Sequence, residues 1–244
     1  MVNISIANQK GGVGKTVTAF HLSYLFARDN KKTLLIDMDP QGNLTSCFTE
    51  ELQKENNIRL IFEKQNPAPK EIEKNLFLVG SDITLSKYET DSKLENFYKL
   101  KNLLENQDFD IALIDTPPSL GLFTSNAFIT SDFVLAPLDI SKFSLMGLKD
   151  LLETIEKIKA NARTNLKILG IILCAVQERL NLYKEIKDRL EKTYKGLLFQ
   201  TVIPASVRVK ESIGENKPIF DTSPDHKVSS AYNNLYEEIK ARMK

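Results

Sequence analysis

The chain reads as an α/β fold, a mostly parallel twisted sheet with helices on both faces. Three observations lead there. Short apolar runs alternate with helical patterns along the whole length, as expected of strands buried on both faces and joined by crossover helices. The first apolar run passes into Gln9-Lys10-Gly11-Gly12-Val13-Gly14-Lys15-Thr16 and then into a helical stretch. Strand, glycine-rich loop and helix, in that order, make a phosphate-binding loop. Two later runs end in aspartate, at Asp37 and Asp115. Functional groups of such a sheet gather at the carboxyl ends of its strands.

The elements follow in order. Residues 2–7 form the first strand and 17–27 the first helix. Residues 33–37 are a second strand, stopped by Asp37-Met38-Asp39-Pro40-Gln41-Gly42-Asn43, where proline and glycine impose a loop. Residues 44–52 are expected to be helical. Residues 53–75 are polar, with Pro67 and Pro69, and are expected to make a surface excursion with short helices. A strand at 75–80 precedes a helix at 94–104, whose Leu94, Phe97, Leu100, Leu103 and Leu104 share one face. The strand at 110–115 ends in Thr116-Pro117-Pro118. Then come a helix (120–129), a strand (133–138), a helix (145–160), a strand (166–173), a charged amphipathic helix (182–194), a strand (198–204) and a short helix (207–214). The last helix, 229–243, aligns Tyr232, Leu235, Tyr236, Ile239 and Met243. Without a linker or repeat, residues 1–244 are expected to form a single domain. The first strand starts so early that no N-terminal helix-turn-helix domain is expected.

Composition narrows the function. The net charge of the 244 residues is +1, so the molecule as a whole is not an electrostatic binder of nucleic acid. From Arg179 to Lys217, however, nine Lys or Arg stand against five Asp or Glu, which suggests one basic face. Cys47 and Cys174 are too few and too far apart for a zinc motif or a disulfide framework. They read as reduced thiols of a cytoplasmic protein. No apolar run approaches the roughly 20 residues of a membrane span, and no membrane association is expected.

The loop residues carry the chemistry. The backbone N–H groups of Gly11, Gly12, Val13 and Gly14 can curl around phosphate oxygens. The following helix, beginning near Val17, adds its partial positive charge. Lys15 suits the β- and γ-phosphates, and the Thr16 hydroxyl suits Mg²⁺. Asp115 is placed to reach that metal, through water. An aspartate buried after an apolar run is costly without a cation, and a metal–phosphate site supplies one.

One departure from the common loop is informative. Gln9 stands where a glycine is usual, and Lys10 precedes the glycines. This resembles the deviant loop of the ParA/Soj/MinD group of ATPases. Ala7-Asn8-Gln9-Lys10-Gly11-Gly12-Val13-Gly14-Lys15-Thr16 is most similar to the ParA/Soj branch. The resemblance implies a P-loop NTPase fold, ATP and Mg²⁺, and partitioning of plasmid or chromosomal DNA. Asp-Met-Asp-Pro-Gln-Gly-Asn matches the first switch of that family. By that match Asp39 orients or deprotonates the attacking water and contributes to the metal site, while Asp37 helps order the metal shell. Lys10 is implied to contact the phosphates of a second subunit in trans, so that ATP joins a homodimer. Pro204 is implied to pack near the base. In the stretch 172–179, Arg179 matches the family and Gln177 replaces an aspartate.

In the Soj branch, basic residues of the later region bind double-stranded DNA without sequence preference. Lys184, Lys187, Arg189, Arg208 and Lys210 are the counterparts implied here. A ParB-type partner is implied to stimulate hydrolysis, on a nucleoid-associated protein. The alternative is a MinD-like positioning ATPase acting at a membrane. The last helix carries Glu237 and Glu238 beside Lys240, Arg242 and Lys244, which favours packing on the sheet over lying on lipid.

Overall fold

A computed structural model describes residues 1–141 and 144–244. Its centre is β1 (Val2–Ile6), flanked by β5 (Ile111–Asp115) and β6 (Phe133–Leu138). Outward from β5 lie β2 (Thr33–Asp37), β4 (Leu76–Val79) and β3 (Lys70–Glu73); outward from β6 lie β7 (Lys167–Val176) and β8 (Leu198–Pro204). The strand order is 3-4-2-5-1-6-7-8. Every pairing is parallel except β3 with β4. Registers are in step where it matters: Ile6 pairs with Asp115, and Asp115 with Asp37.

Alternation along the strands sorts the core into two layers. Ile4, Ile6, Leu35, Leu113 and Leu135 face α1 (Lys15–Arg28) and α9 (Lys227–Arg242). Leu34, Ile36, Ala112 and Ile114 face α3 (Lys99–Leu104) and α4 (Leu122–Thr130). Val134, Ala136 and Leu138 face α5 (Ser144–Ala162) and α6 (Asn181–Thr193). The short helices α2 (Asn43–Ser46), α7 (Val207–Gly214) and α8 (Ile219–Thr222) lie between these elements in sequence.

The helix expected over 44–52 is only the single turn of α2; beyond it the Cys47 and Phe48 N–H groups bond back three residues, to the carbonyls of Leu44 and Thr45. The Thr45 backbone N–H and hydroxyl both donate to Asp37, and the hydroxyl accepts from Ser81 N–H. The excursion at 53–75 does contain short 3-10 turns, at Lys54–Asn56 and Ile58–Glu63. It also holds β3, an antiparallel edge strand that charged Lys-Glu-Ile-Glu conceals in the sequence. The last helix begins earlier than its apolar stripe, at Lys227, because the His226 ring accepts from Val228 N–H and caps it.

Two C-terminal side chains close the far edge of the sheet. Glu238 accepts from the N–H groups of Gln200 and Thr201 at 2.9 and 2.7 Å, which occupies the free side of edge strand β8. Arg242 donates to the carbonyls of Leu169, Leu197 and Leu198 at 2.7–3.0 Å and lies 3.9 Å from the centre of the Phe199 ring. Gly170 leaves room for this arrangement. A Cβ there would stand 2.4 Å from both Arg242 Nη1 and Phe199. Gly170→Ala is therefore expected to destabilise the fold by about 3 kcal/mol through overpacking, read as a lower urea midpoint with an unchanged slope. A midpoint equal to that of the parent chain would refute the close packing.

α1 is buried from Thr18 to Ala27, polar residues included. His21 lies inside it, stacked 4.3 Å from Tyr232. Its Nδ1–H donates to the Val17 carbonyl at 2.8 Å, and Nε2 is buried without a partner among the described residues. Burial lowers its pKa from 6.5 to about 4, so the folded state keeps it neutral while the unfolded chain protonates. The stability this contributes is present above pH 6.5 and is lost as the pH falls towards 4, up to about 3 kcal/mol. Burial holds Asp37 up at about 6, which acts in the opposite sense below pH 6. The expected signature is thus a difference: His21→Phe removes part of the acid sensitivity between pH 7 and 4.5 in paired urea melts. Parallel pH profiles for the two proteins would contradict it.

Candidate nucleotide site

The site is built where β1 runs into α1. Gly12 and Gly14 have φ of 75° and 97°, a left-handed backbone that side chains resist. Gly14 is the N-cap of α1 and offers no side-chain hydrogen bond to it. The first N–H groups of the helix are thereby left for an anion. Asn8 braces the entry to the loop. Its amide donates to Pro137 carbonyl at 2.7 Å and its oxygen accepts from Lys10 N–H at 2.9 Å.

Two cavities meet at this loop. The first, about 490 Å³, is lined by Gly11, Gly12, Gly14, Lys15, Thr16 and Val17 of the loop and helix, by Asp39, Gln41, Asn43, Ser46 and Cys47, and by Pro118 and Ile213. The second, about 200 Å³, shares Gly12, Gly14 and Val17 with it and adds Val13, Cys174, Ala175, Pro204, Ser206, Lys210 and Tyr232. The first is edged by carboxylate and ammonium groups. The second is walled mostly by apolar side chains. A charged chamber joined to an apolar one suits a phosphate chain attached to a flat base.

The four chemical groups expected from the sequence converge. Lys15 Nζ folds back to donate to Lys10 carbonyl at 3.0 Å. Burial lowers its pKa, and the nearby charges of Asp115 and Asp39 oppose that shift. Thr16 Oγ1 donates to Asp115 Oδ2 at 2.7 Å. Asp115 is held well above the usual carboxylate range, first by burial and then by neighbouring Asp37. Its other oxygen, Oδ1, is buried with no partner among the described residues. An orphaned carboxylate oxygen beside a hydroxyl, in a crowd of acids, fits a hard cation such as Mg²⁺. Among the described residues, no group of three or more His, Cys, Asp or Glu side chains could hold an ion alone. Phosphate oxygens and water would have to complete the shell, as is usual for Mg²⁺.

The three aspartates have different surroundings. Asp37 is fully engaged, accepting from Asp39 N–H, Thr45 N–H and Thr45 hydroxyl at 2.8–3.0 Å. It holds the loop that carries Asp39. Asp39 lines the first cavity, and one of its oxygens accepts from Gln41 N–H at 2.9 Å. Asp115 is the buried partner of Thr16.

Lys10 stands apart, lining neither cavity. Its Nζ pairs with Asp139 Oδ2 at 2.5 Å and donates to Ser141 Oγ at 2.9 Å. Pro204 sits in the wall of the second cavity, whereas Gln177 and Arg179 are exposed and line neither. The basic residues divide. Lys184 and Arg189 are exposed on α6, where Lys187 lies 3.9 Å from Glu191. Arg208 on α7 lies 3.4 Å from Glu211, and Lys210 borders the second cavity. Cys47, Cys174 and Tyr232 were not legible as site residues. They come from three separate elements, and no local spacing marks them.

Comparison with known proteins gives four matches of note. Residues 1–168 match the family described as an AAA domain. The sporulation initiation inhibitor protein Soj of Bacillus subtilis is 34% identical over 98% of each chain. The chromosome-partitioning ATPase Soj of Thermus thermophilus is 32% identical over 98% of this chain and 96% of its own. Among solved structures, the ATP complex of a McdA variant from Cyanothece superposes with a TM-score of 0.86, at 26% identity over 98% of this chain and 96% of that one.

Proposed function

The chain belongs to the ParA/Soj family of partitioning ATPases, and from that premise we propose that it is an ATP-driven DNA-partitioning switch. ATP and Mg²⁺ bind in the joined cavities, two copies close over the nucleotides, and the dimer binds duplex DNA without sequence preference. Hydrolysis, stimulated by a ParB-type centromere-binding protein, releases it. When bound, Mg²⁺ would supply charge neutralisation at the phosphates. The loop N–H groups and Lys15 hold the phosphate oxygens, Thr16 and Asp115 would hold the metal, and Asp39 orients the attacking water and takes its proton. Pro204 and Val17 flank the base.

The observation that carries this reading is the division of labour between the two lysines. Lys15 is folded into the first cavity, while Lys10 lies outside both and presents its charge at the carboxyl edge of the sheet. A charge there can serve a nucleotide held by a facing copy. Exposed Met146, Leu180 and Val207 support such a face, since each follows the carboxyl end of a strand, β6, β7 or β8. The membrane alternative is less well supported. α9 turns Val228, Tyr232, Leu235, Tyr236 and Ile239 into the core, which leaves no apolar face for lipid. No helix among the described residues is long and apolar enough to cross a membrane.

The test is sedimentation velocity with and without ATP–Mg²⁺ and an arbitrary DNA duplex. The parent chain is expected to dimerise with nucleotide and to bind the duplex in a salt-sensitive manner. Lys10→Ala is expected to stay monomeric while retaining nucleotide. A Lys10→Ala dimer as tight as the parent's would reject the trans role of Lys10. A parent dimer that ignores DNA even at low salt would reject the DNA reading.

A further inference from the structure

We propose that Asp139 and Ser144 form a clamp that holds Lys10 within its own protomer and so sets the threshold for nucleotide-dependent dimerisation; this rests on the trans role of Lys10 given above. Asp139 directly follows β6 and Ser144 opens α5. Both Asp139 oxygens are in use. Oδ2 takes the Lys10 ammonium at 2.5 Å, and Oδ1 accepts from Ser144 Oγ at 2.6 Å. Ser141 Oγ closes the ring, 2.9 Å from Lys10 Nζ and 2.7 Å from Ser144 Oγ. Ser144 is 1% exposed, so its hydroxyl has a fixed place and fixes the carboxylate in turn. From the other side, Asn8 anchors the Lys10 backbone to β6.

A lysine so held cannot also reach across to a second copy. It must leave Asp139 first, and dimerisation must overcome that loss in each protomer. The pair is about one-third exposed on the lysine and one-quarter on the aspartate, which places it near the upper end of surface ion pairs, worth roughly fivefold in an equilibrium. A symmetric dimer releases two clamps. The two factors multiply, so freeing Lys10 is expected to raise the dimer association constant by roughly 25-fold. Asp139 is thus a positioning residue, acting through Lys10 and not on the nucleotide.

The experiment measures two quantities on the full chain: dimer association by sedimentation velocity across a protein series with AMPPNP–Mg²⁺, and nucleotide affinity of the monomer with a fluorescent ATP analogue at high dilution. Asp139→Asn keeps the shape and removes the charge. It is expected to tighten the dimer roughly 25-fold and leave monomer affinity within about twofold. Ser144→Ala, which removes only the hydroxyl that steadies Asp139, is expected to tighten it by a smaller factor in the same direction, and it serves if Asp139→Asn folds poorly. In a Lys10→Ala background, Asp139→Asn should change nothing further. If Lys10→Ala abolishes the dimer but Asp139→Asn and Ser144→Ala leave association unchanged or weaker, the clamp is wrong and the trans role stands. If Lys10→Ala dimerises like the parent, the trans role fails and the clamp fails with it.

Discussion

Lys15→Ala is expected to lower kcat/KM for ATP by about a thousandfold or more. Among the described residues, no other cation lines the first cavity. Lys15 Nζ is the ammonium that lines the phosphate cavity and is drawn towards it by a bond to the Lys10 carbonyl. Lys10 is tied to Asp139 and lines neither cavity, and Lys210 borders the second cavity and not the first. Burial already penalises the Lys15 charge, and Asp115 and Asp39 offset this, so the charge is maintained in a place that stabilises ligand more than fold. The melting temperature without nucleotide should therefore shift by only a few degrees. Arginine should not rescue, because a broad planar guanidinium differs from a compact ammonium in reach and shape. Phosphate release and fluorescent-nucleotide titration on the purified variant check both halves. A loss of less than tenfold in kcat/KM would show that the phosphates lie elsewhere.

Asp39→Ala is the second large effect, and its form differs. Hydrolysis is expected to fall by about 10²- to 10³-fold while nucleotide affinity changes little and the nucleotide-bound dimer persists. The reason is the inequality among the three aspartates. Asp37 spends its oxygens on Thr45 and Asp39 N–H, and Asp115 is bound to Thr16 and buried. Asp39 lines the cavity and is committed only to Gln41 N–H. It is the aspartate that lines the cavity with an oxygen left for a water, whereas the spare oxygen of Asp115 is buried. An interaction needed only in the transition state lowers kcat without weakening binding. Single-turnover phosphate release beside equilibrium nucleotide binding separates the two. Equal losses in both would assign Asp39 to the metal alone.

The contrast with Asp37→Ala follows from the same geometry. Removing Asp37 releases the Thr45 hydroxyl and two backbone N–H groups that it now satisfies. Its loss belongs to the shape of the 39–45 loop, so binding, hydrolysis and stability should all decline together.

Much of this protein was legible along the chain. The phosphate loop, the buried strands and the aspartates that end them depend on local rules. Glycine is needed where φ is positive, apolar runs mark strands covered on both faces, and a strand that stops at an acid places that acid at the functional edge. These rules act over a few neighbouring residues and survive without knowledge of the rest. Element ends were less legible. α2 shrank to one turn, with the chain tightening into three-residue bonds at Cys47 and Phe48, and β3 hid behind charges suited to a sheet edge.

What tertiary structure alone decided is which distant groups share a site. Tyr232 and Cys174 reach the second cavity only because α9 and β7 pack beside α1. Asp139 lies 129 residues from Lys10, and no spacing in the sequence couples them. They meet because β6 pairs with β1 in the sheet, and Asn8 and the Ser144 hydroxyl then hold the two charges in contact. The sequence by itself determined that this chain carries a phosphate loop with two lysines. The fold decided that the two lysines are held differently, one against the cavity by the Lys10 carbonyl and nearby carboxylates, the other outside it by Asp139 and Ser141.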